Sequence, residues 1–215
     1  MKELNIVCGE CFLPIFKEKY DCLGIPMNEA MMQGDAGYPL FSEDFIRLRA
    51  DELEVSAADY RRRLEPLLNC VSELASFKQV NLWFGSDAFC QINLLTVLAF
   101  LEQSDCKCPV ELHIVNEYTG DILETYPVVL GQYTEIYQRV VLKKEYAETG
   151  LAFLNRGIAF YLDYHLSDGA VQKELTAMKN YPAEEIISHI LTKFKDYGIT
   201  DRMLQKRIRE GDIKI

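Results

Sequence analysis

Two hydrophobic periods alternate along the first half of the chain. Leu4 to Cys8 alternates about a β-branched centre and stops at Gly9, the pattern of a short strand entering a turn. Within Cys11 to Tyr20 a helix follows, beginning no earlier than Pro14, and Pro26 to Met32 reads as a second extended segment closed by Gly34-Asp35. Ser42-Glu43-Asp44 opens a helix with acidic residues in its first turn, where they favour the helix dipole, and Phe45, Ile46, Leu48 and Leu53 supply its apolar side. Ser56 to Asp59 repeats the start signal with capping-box spacing. Tyr60, Leu64, Leu67, Leu68, Val71 and Leu74 then recur at helical spacing, interrupted by Pro66, which predicts a kink or a split because proline lacks the N–H that the helix needs.

The middle of the chain carries the clearest pattern. Val80 to Phe84 is a strand, Gly85-Ser86-Asp87 a tight loop, Ala88 to Glu102 a helix apolar on nearly every side, and Val110 to Val115 another strand. Strand, helix and strand in this order make a crossover unit with parallel strands. Beyond a turn at Gly120-Asp121 the pattern is helical, through Tyr133 to Tyr146 and Leu151 to Tyr164, with a loop at Ser167-Asp168-Gly169. Ile186, Ile187, Ile190, Leu191 and Phe194 mark one further helix that Gly198 ends, and Thr200 or Asp201 starts another that Gly211 ends. The fold expected is α/β: a small, doubly wound, mostly parallel sheet over residues 1–120, with a helical C-terminal region over 121–215. No stretch rich in Pro, Gly or Ser separates the two, so the helices are expected to dock on the sheet and to finish in a helix-turn-helix-like segment.

Composition narrows the classes without naming one. With 215 residues, 49% hydrophobic and 26% charged, the chain has the composition of an ordinary globular protein with a sizeable core. Met1 to Phe16 lacks the pattern of a secretory signal, and the uncharged run Ala88 to Leu101 is too short for a bilayer and contains Gln91, Asn93 and Thr96. The seven cysteines are odd in number and scattered, which fits cytoplasmic thiols better than a disulfide framework, so a cytoplasmic location with no membrane partner is expected. A net charge of −10 disfavours non-specific attraction to nucleic acid or anionic lipid.

Candidate chemistry centres on the loop after the central strand. Ser86 and Asp87 sit where a strand's carboxyl end meets a helix's amino end, with Gln91 one turn along, and ligands of open α/β sheets bind at such places because free backbone N–H groups favour an anion. The competing reading is that Ser86 or Asp87 merely caps the helix. Cys8-Gly9-Glu10-Cys11 has the spacing of a redox or metal pair, but Cys106-Lys107-Cys108 is not its match, and no metal ligands are assigned. His113, His165 and His189 share no local motif; there is no Walker loop, and Gly9 lacks the partners of a dinucleotide fingerprint. Arg47, Arg49 and Arg61 to Arg63 could meet a phosphate and Glu29 or Glu10 could act as acid or base, against the plainer reading of a solvated helix face. On the last helix Arg202, Gln205, Lys206 and Arg209 share one basic face, the outline of a DNA-reading helix.

The stretch Leu82 to Leu95 resembles the signature of an uncharacterised bacterial group, the domain-of-unknown-function 1835 family, with Asp87 and Gln91 at the matching positions. The resemblance extends to Ile6-Val7-Cys8-Gly9, to Glu29 with Gly34, to Arg47 with Arg49 ahead of Tyr60, and to His189-Ile190-Leu191 followed by Gly198-Ile199-Thr200. Members of that group often carry Glu-His where this chain has Gly85-Ser86, and His and Asp where it has Asn5 and Glu10. The family name confers no function and no cofactor.

Three functional readings follow. In the first, a small anionic metabolite, a nucleotide or phosphoester, binds at the carboxyl edge of the sheet among Ser86, Asp87, Gln91, Glu29 and Arg47. In the second, the chain is a ligand-sensing regulator that contacts DNA through Arg202, Gln205, Lys206 and Arg209. In the third it is an interaction or scaffold protein, a homodimer held through an apolar patch.

Overall fold

The computed structural model describes residues 2–209 and has an α/β fold. Strands β1 (Lys2–Val7), β2 (Ile25–Pro26), β3 (Phe77–Phe84), β4 (Val110–Val115) and β5 (Ile122–Val128) form one sheet in the order β2-β1-β3-β4-β5. The first four are parallel and β5 pairs antiparallel with β4. Helices α1 (Leu13–Tyr20), α2 (Glu43–Glu52), α3 (Ala57–Ser72) and α4 (Ala88–Gln103) accompany the sheet. Helices α5 (Tyr133–Tyr137), α6 (Ala152–His165), α7 (Ala170–Ala177), α8 (Ala183–Lys193) and α9 (Asp201–Arg209) follow it.

Strand register sorts the side chains by face. Leu4 lies beside Val80, Ile6 beside Leu82, and Leu82 beside Leu112, giving one wholly apolar face, as a covered parallel sheet requires. The opposite face carries Asn5, Asn81, Trp83 and His113 in adjacent register positions. There Asn5 Oδ1 accepts from Trp83 Nε1 at 3.2 Å and from Asn81 Nδ2 at 3.1 Å, and α1 closes the row with Phe16 and Tyr20 against the Trp83 ring.

Helix α4 is buried from Ala88 to Leu101 except at Phe89, so it has no solvent face and must be covered all round. Part of that cover comes from α6, where Gly157 faces Ala88 and Gln91 so closely that a Cβ would collide with the Gln91 side chain. Glu102, at the far end of α4, holds the entry to α5: its carboxylate accepts the backbone N–H groups of Gly131, Gln132, Tyr133 and Thr134. Burial opposes ionisation there, but the hydrogen bonds from Tyr133, Gly131 and Thr134 prevail and keep the Glu102 carboxyl below its ordinary range.

Several expectations change at the level of elements. Pro66 does not split α3, which runs unbroken from Ala57 to Ser72. The extended segment expected over Pro26 to Met32 shrinks to Ile25–Pro26, because the residues after it are held by side chains instead of a ladder: Met31 N–H donates to Asn93 Oδ1 and Asn93 Nδ2 donates to the Glu29 carbonyl. Strand β5 lies beyond the boundary drawn at residue 120, so the sheet continues to Val128. Its residues are mostly exposed and include Pro127, which is tolerated on an edge strand, so it lacks the alternating burial that marks a strand in sequence. The helix expected through Tyr146 is cut short, as α5 passes into a π-helical turn, Gln138–Leu142, and Lys144 has a φ of 56°. At the C-terminus α8, Gly198 in the left-handed conformation (φ 64°) and α9 give the expected helix, turn and helix, while the helix end at Gly211 lies outside the described residues. Among the described residues no helix is long and apolar enough to cross a membrane.

Leu98 is fully buried in the middle of α4. Leu98→Ala is therefore expected to leave a cavity and lower the unfolding free energy by about 2–5 kcal/mol, measured by denaturant titration. A loss below about 1 kcal/mol, the range of surface changes, would show α4 to be peripheral.

Candidate functional site

The strand order places β2 on one side of β1 and β3 on the other, so a topological switch point lies between the carboxyl ends of β1 and β3. Three segments emerge there: Cys8 and Gly9 after β1, Gly85 to Asp87 after β3, and Asn116 and Glu117 after β4. Asp87 is the N-cap of α4, its Oδ1 accepting the Cys90 backbone N–H at 3.0 Å. This turns the first turn of α4, and with it Cys90, toward the crevice. The capping alternative for Asp87 is thus what the geometry contains, and it has a consequence for ligands. A carboxylate already serves the helix amino end where an anion was expected to bind.

Four acidic groups from these segments meet in the crevice. Cys8 Sγ donates to Glu117 Oε1 at 3.1 Å and Cys90 Sγ to the same oxygen at 3.0 Å, and the three ligand atoms lie within 4.8 Å of one another. Asp87 is hydrogen-bonded to Glu117 as well, so two carboxyls share a contact. Among the described residues, no Lys, Arg or His forms an ion pair with Asp87 or Glu117. Burial first, and the Glu117 charge second, push the Asp87 carboxyl up to about 7, against the Cys90 backbone N–H that favours its ionised form. The Cys90 thiol is held protonated well above its ordinary range by the neighbouring Cys8 thiol, by burial and by the nearby carboxyls.

Glycines make the approach of these groups possible. A Cβ on Gly85 would stand 2.5 Å from Glu117 Cδ, so only glycine lets Glu117 fold over the loop. Gly198, ahead of α9, packs its bare Cα against Asp87 Oδ1 and Phe89 Cβ. The C-terminal helices therefore form one wall of the site.

The five residues expected to line an anion pocket do not converge. Arg47 is exposed and pairs with Asp44 on the outer side of α2. Glu29 is buried, with Oε1 accepting Arg49 Nη2 at 2.8 Å and Oε2 accepting the Tyr60 hydroxyl. The buried arginine is thus Arg49, whose guanidinium also donates to the carbonyls of Gln33, Asp35 and Ala30. Helical spacing carries the signal for this. Arg49 falls with Phe45, Ile46 and Ala50 on the buried side of α2, two residues and a turn of direction away from Arg47. Gln91 is buried and donates to the Gly85 carbonyl, its own Oε1 left without a hydrogen-bond partner. Ser86 offers its carbonyl to Arg156 Nη2 at 3.1 Å.

The basic face of α9 is engaged within the chain. Arg202 donates to the Leu53 carbonyl at 3.1 Å, Lys206 to the Glu52 carbonyl at 2.9 Å, and Arg209 to both carboxylate oxygens of Glu54, while Gln205 is exposed. Cations meeting the carbonyl end of α2 are favoured by its dipole, and the face works as a clasp between α9 and α2. Of the expected cysteine pairs, Cys11 is exposed and takes no part in the crevice cluster. Cys106 and Cys108, with sulfurs 3.4 Å apart, precede β4 and so stand at the amino end of the sheet, opposite Cys8. Cys8 instead finds Cys90 and Glu117, which local spacing could not reveal. The sequence signal was positional, since all three follow a parallel strand or open the helix after one.

Comparison with family models, curated proteins and solved structures finds no match to this chain. The likeness to the family named above rests on the quoted motifs alone.

Because Asp87 titrates near 7 in the folded protein and near 3.8 when free, the folded state holds the extra proton between these values. Its contribution to stability is complete below the lower value and is lost as pH rises through the upper one. Asp87→Asn is expected to flatten that part of the stability profile from pH 4 to 7, read by chemical denaturation at stepped pH. An unchanged slope would mean that Asp87 is ionised throughout.

Proposed function

We propose that the protein binds a small ligand in the crevice over the carboxyl ends of β1 and β3, and that the ligand brings positive charge or hydrogen-bond donors, not phosphate. The observation that carries this is the convergence of Cys8, Cys90, Glu117 and Asp87 from three segments, with no cation among the described residues in an ion pair with the carboxyls. Acidic groups brought this close raise one another's energy unless protons or an outside cation offset the charge. Function commonly accounts for such a costly cluster at a sheet's switch point. An anion would meet the Glu117 carboxylate and find the helix amino end already served by Asp87.

Thermal unfolding of the full chain with divalent cations, primary amines, nucleotides and sugar phosphates tests the reading. A ligand of the folded state at a hundredfold excess over its dissociation constant stabilises by about 2.7 kcal/mol. Cationic ligands are expected to raise Tm in the wild type and to lose that effect in Glu117→Gln, which keeps the shape and removes the charge. Stabilisation by the phosphorylated compounds alone, or by no class at all, overturns the proposal.

A further inference from the structure

We infer that Cys8, Cys90 and Glu117 are the ligands of a zinc-class divalent metal ion. This rests on the crevice being the ligand site and names what it takes. The donor set selects the metal: two thiols and one carboxyl suit a borderline-soft cation such as zinc, whereas magnesium and calcium require oxygen donors throughout. The geometry selects it again. Tetrahedral zinc, with bonds of about 2.3 Å to sulfur and about 2.0 Å to oxygen, sets sulfur and oxygen about 3.5 Å apart. Here the two sulfurs stand 3.1 and 3.0 Å from one Glu117 oxygen, with all three atoms inside 4.8 Å, so each donor needs to shift by only about half an ångström.

The surroundings fit a metal centre open on one side. Cys8 and Cys90 are buried and rise from the fixed end of β1 and the first turn of α4, while Glu117 is partly exposed and closes the group from the solvent side. Position 85 must be glycine for Glu117 to reach the two sulfurs. Asp87, hydrogen-bonded to Glu117 and to the Cys90 backbone N–H, orients two of the three donors and is a positioning residue. Three protein donors leave the fourth position to water or a substrate, the arrangement of zinc sites that exchange ligands. On metal entry both S–H bonds break, two sulfur–metal bonds form and two protons leave to solvent, so with the Glu117 carboxylate the site carries a net charge of −1.

The test uses the full chain, reduced and stripped of metal, titrated with Co2+ and then with Zn2+. One Co2+ per chain is expected to bind with the near-ultraviolet band of thiolate-to-cobalt charge transfer, to release about two protons below the thiol range, and to be displaced by one Zn2+. Cys8→Ser and Cys90→Ser should each weaken or remove the band, and Glu117→Gln should lower affinity by about 10-fold or more. Cys11→Ser and the double variant Cys106→Ser/Cys108→Ser should leave it unchanged. Circular dichroism of each variant shows whether it folds. For any that does not, Asp87→Asn serves as the second arm, expected to weaken binding about 10-fold or more with the band intact.

Absence of a charge-transfer band in the reduced wild type overturns the assignment, as does a band that survives Cys8→Ser and Cys90→Ser and vanishes in the Cys106/Cys108 variant. If no metal binds but amines still raise Tm through Glu117, the metal assignment fails and the crevice reading stands. If neither acts, both fail.

Discussion

The structure depends on one constraint: α4 has no polar face, so every direction around it must be filled. An all-round apolar helix cannot rest on a sheet with its back to water, and the C-terminal half of the chain answers this need. Helix α6 approaches closely enough to require Gly157 opposite Gln91, and Glu102 gathers four backbone N–H groups at the start of α5. The two halves are bound because the loops of the first half, at Met31 and Phe41, cover only part of α4, and α6 and α5 cover more of it.

Burial of α4 also imposes accounts for its polar residues. Thr96 returns its hydroxyl to the Ile92 carbonyl, and Asn93 spends both ends of its amide on the loop that holds Glu29 and Met31. That loop presents Glu29 to Arg49 and Tyr60 in a fully buried ion pair. Such a pair contributes little net stability, because desolvation opposes the Coulomb attraction, but either partner left alone would be an uncompensated buried charge. The pair therefore fixes where α2 and α3 stand relative to the loop after β2, and its role is positional.

Much of this was legible in the sequence because it follows from local periodicity. The β3, α4, β4 unit and the helix, turn and helix at the end are carried by hydrophobic spacing and by Gly198. What was not legible depends on tertiary context. Strand β5 is an edge strand with a proline and exposed side chains, so its ladder to β4, and not its own pattern, makes it a strand. Arg47 and Arg49 are equivalent in composition and differ only in the side of α2 they occupy. The cluster at the switch point joins residues 8, 90 and 117, so distant in sequence that no motif spans them.

The same distance explains why the crevice is shaped by the far end of the chain. Gly198 adopts a left-handed conformation and lies bare against Asp87, and α9 just beyond it is clasped to the carbonyl end of α2 through Arg202, Lys206 and Arg209. A side chain at 198 would displace the Asp87 carboxyl that caps α4 and meets Glu117. Basic residues that resemble a nucleic-acid face when read along α9 thus meet the carbonyl end of α2 and the Glu54 carboxylate within the chain. The clasp joins α9 to α2, Gly198 ahead of α9 leaves room for the Asp87 carboxyl, and Asp87 caps the helix whose first turn carries Cys90.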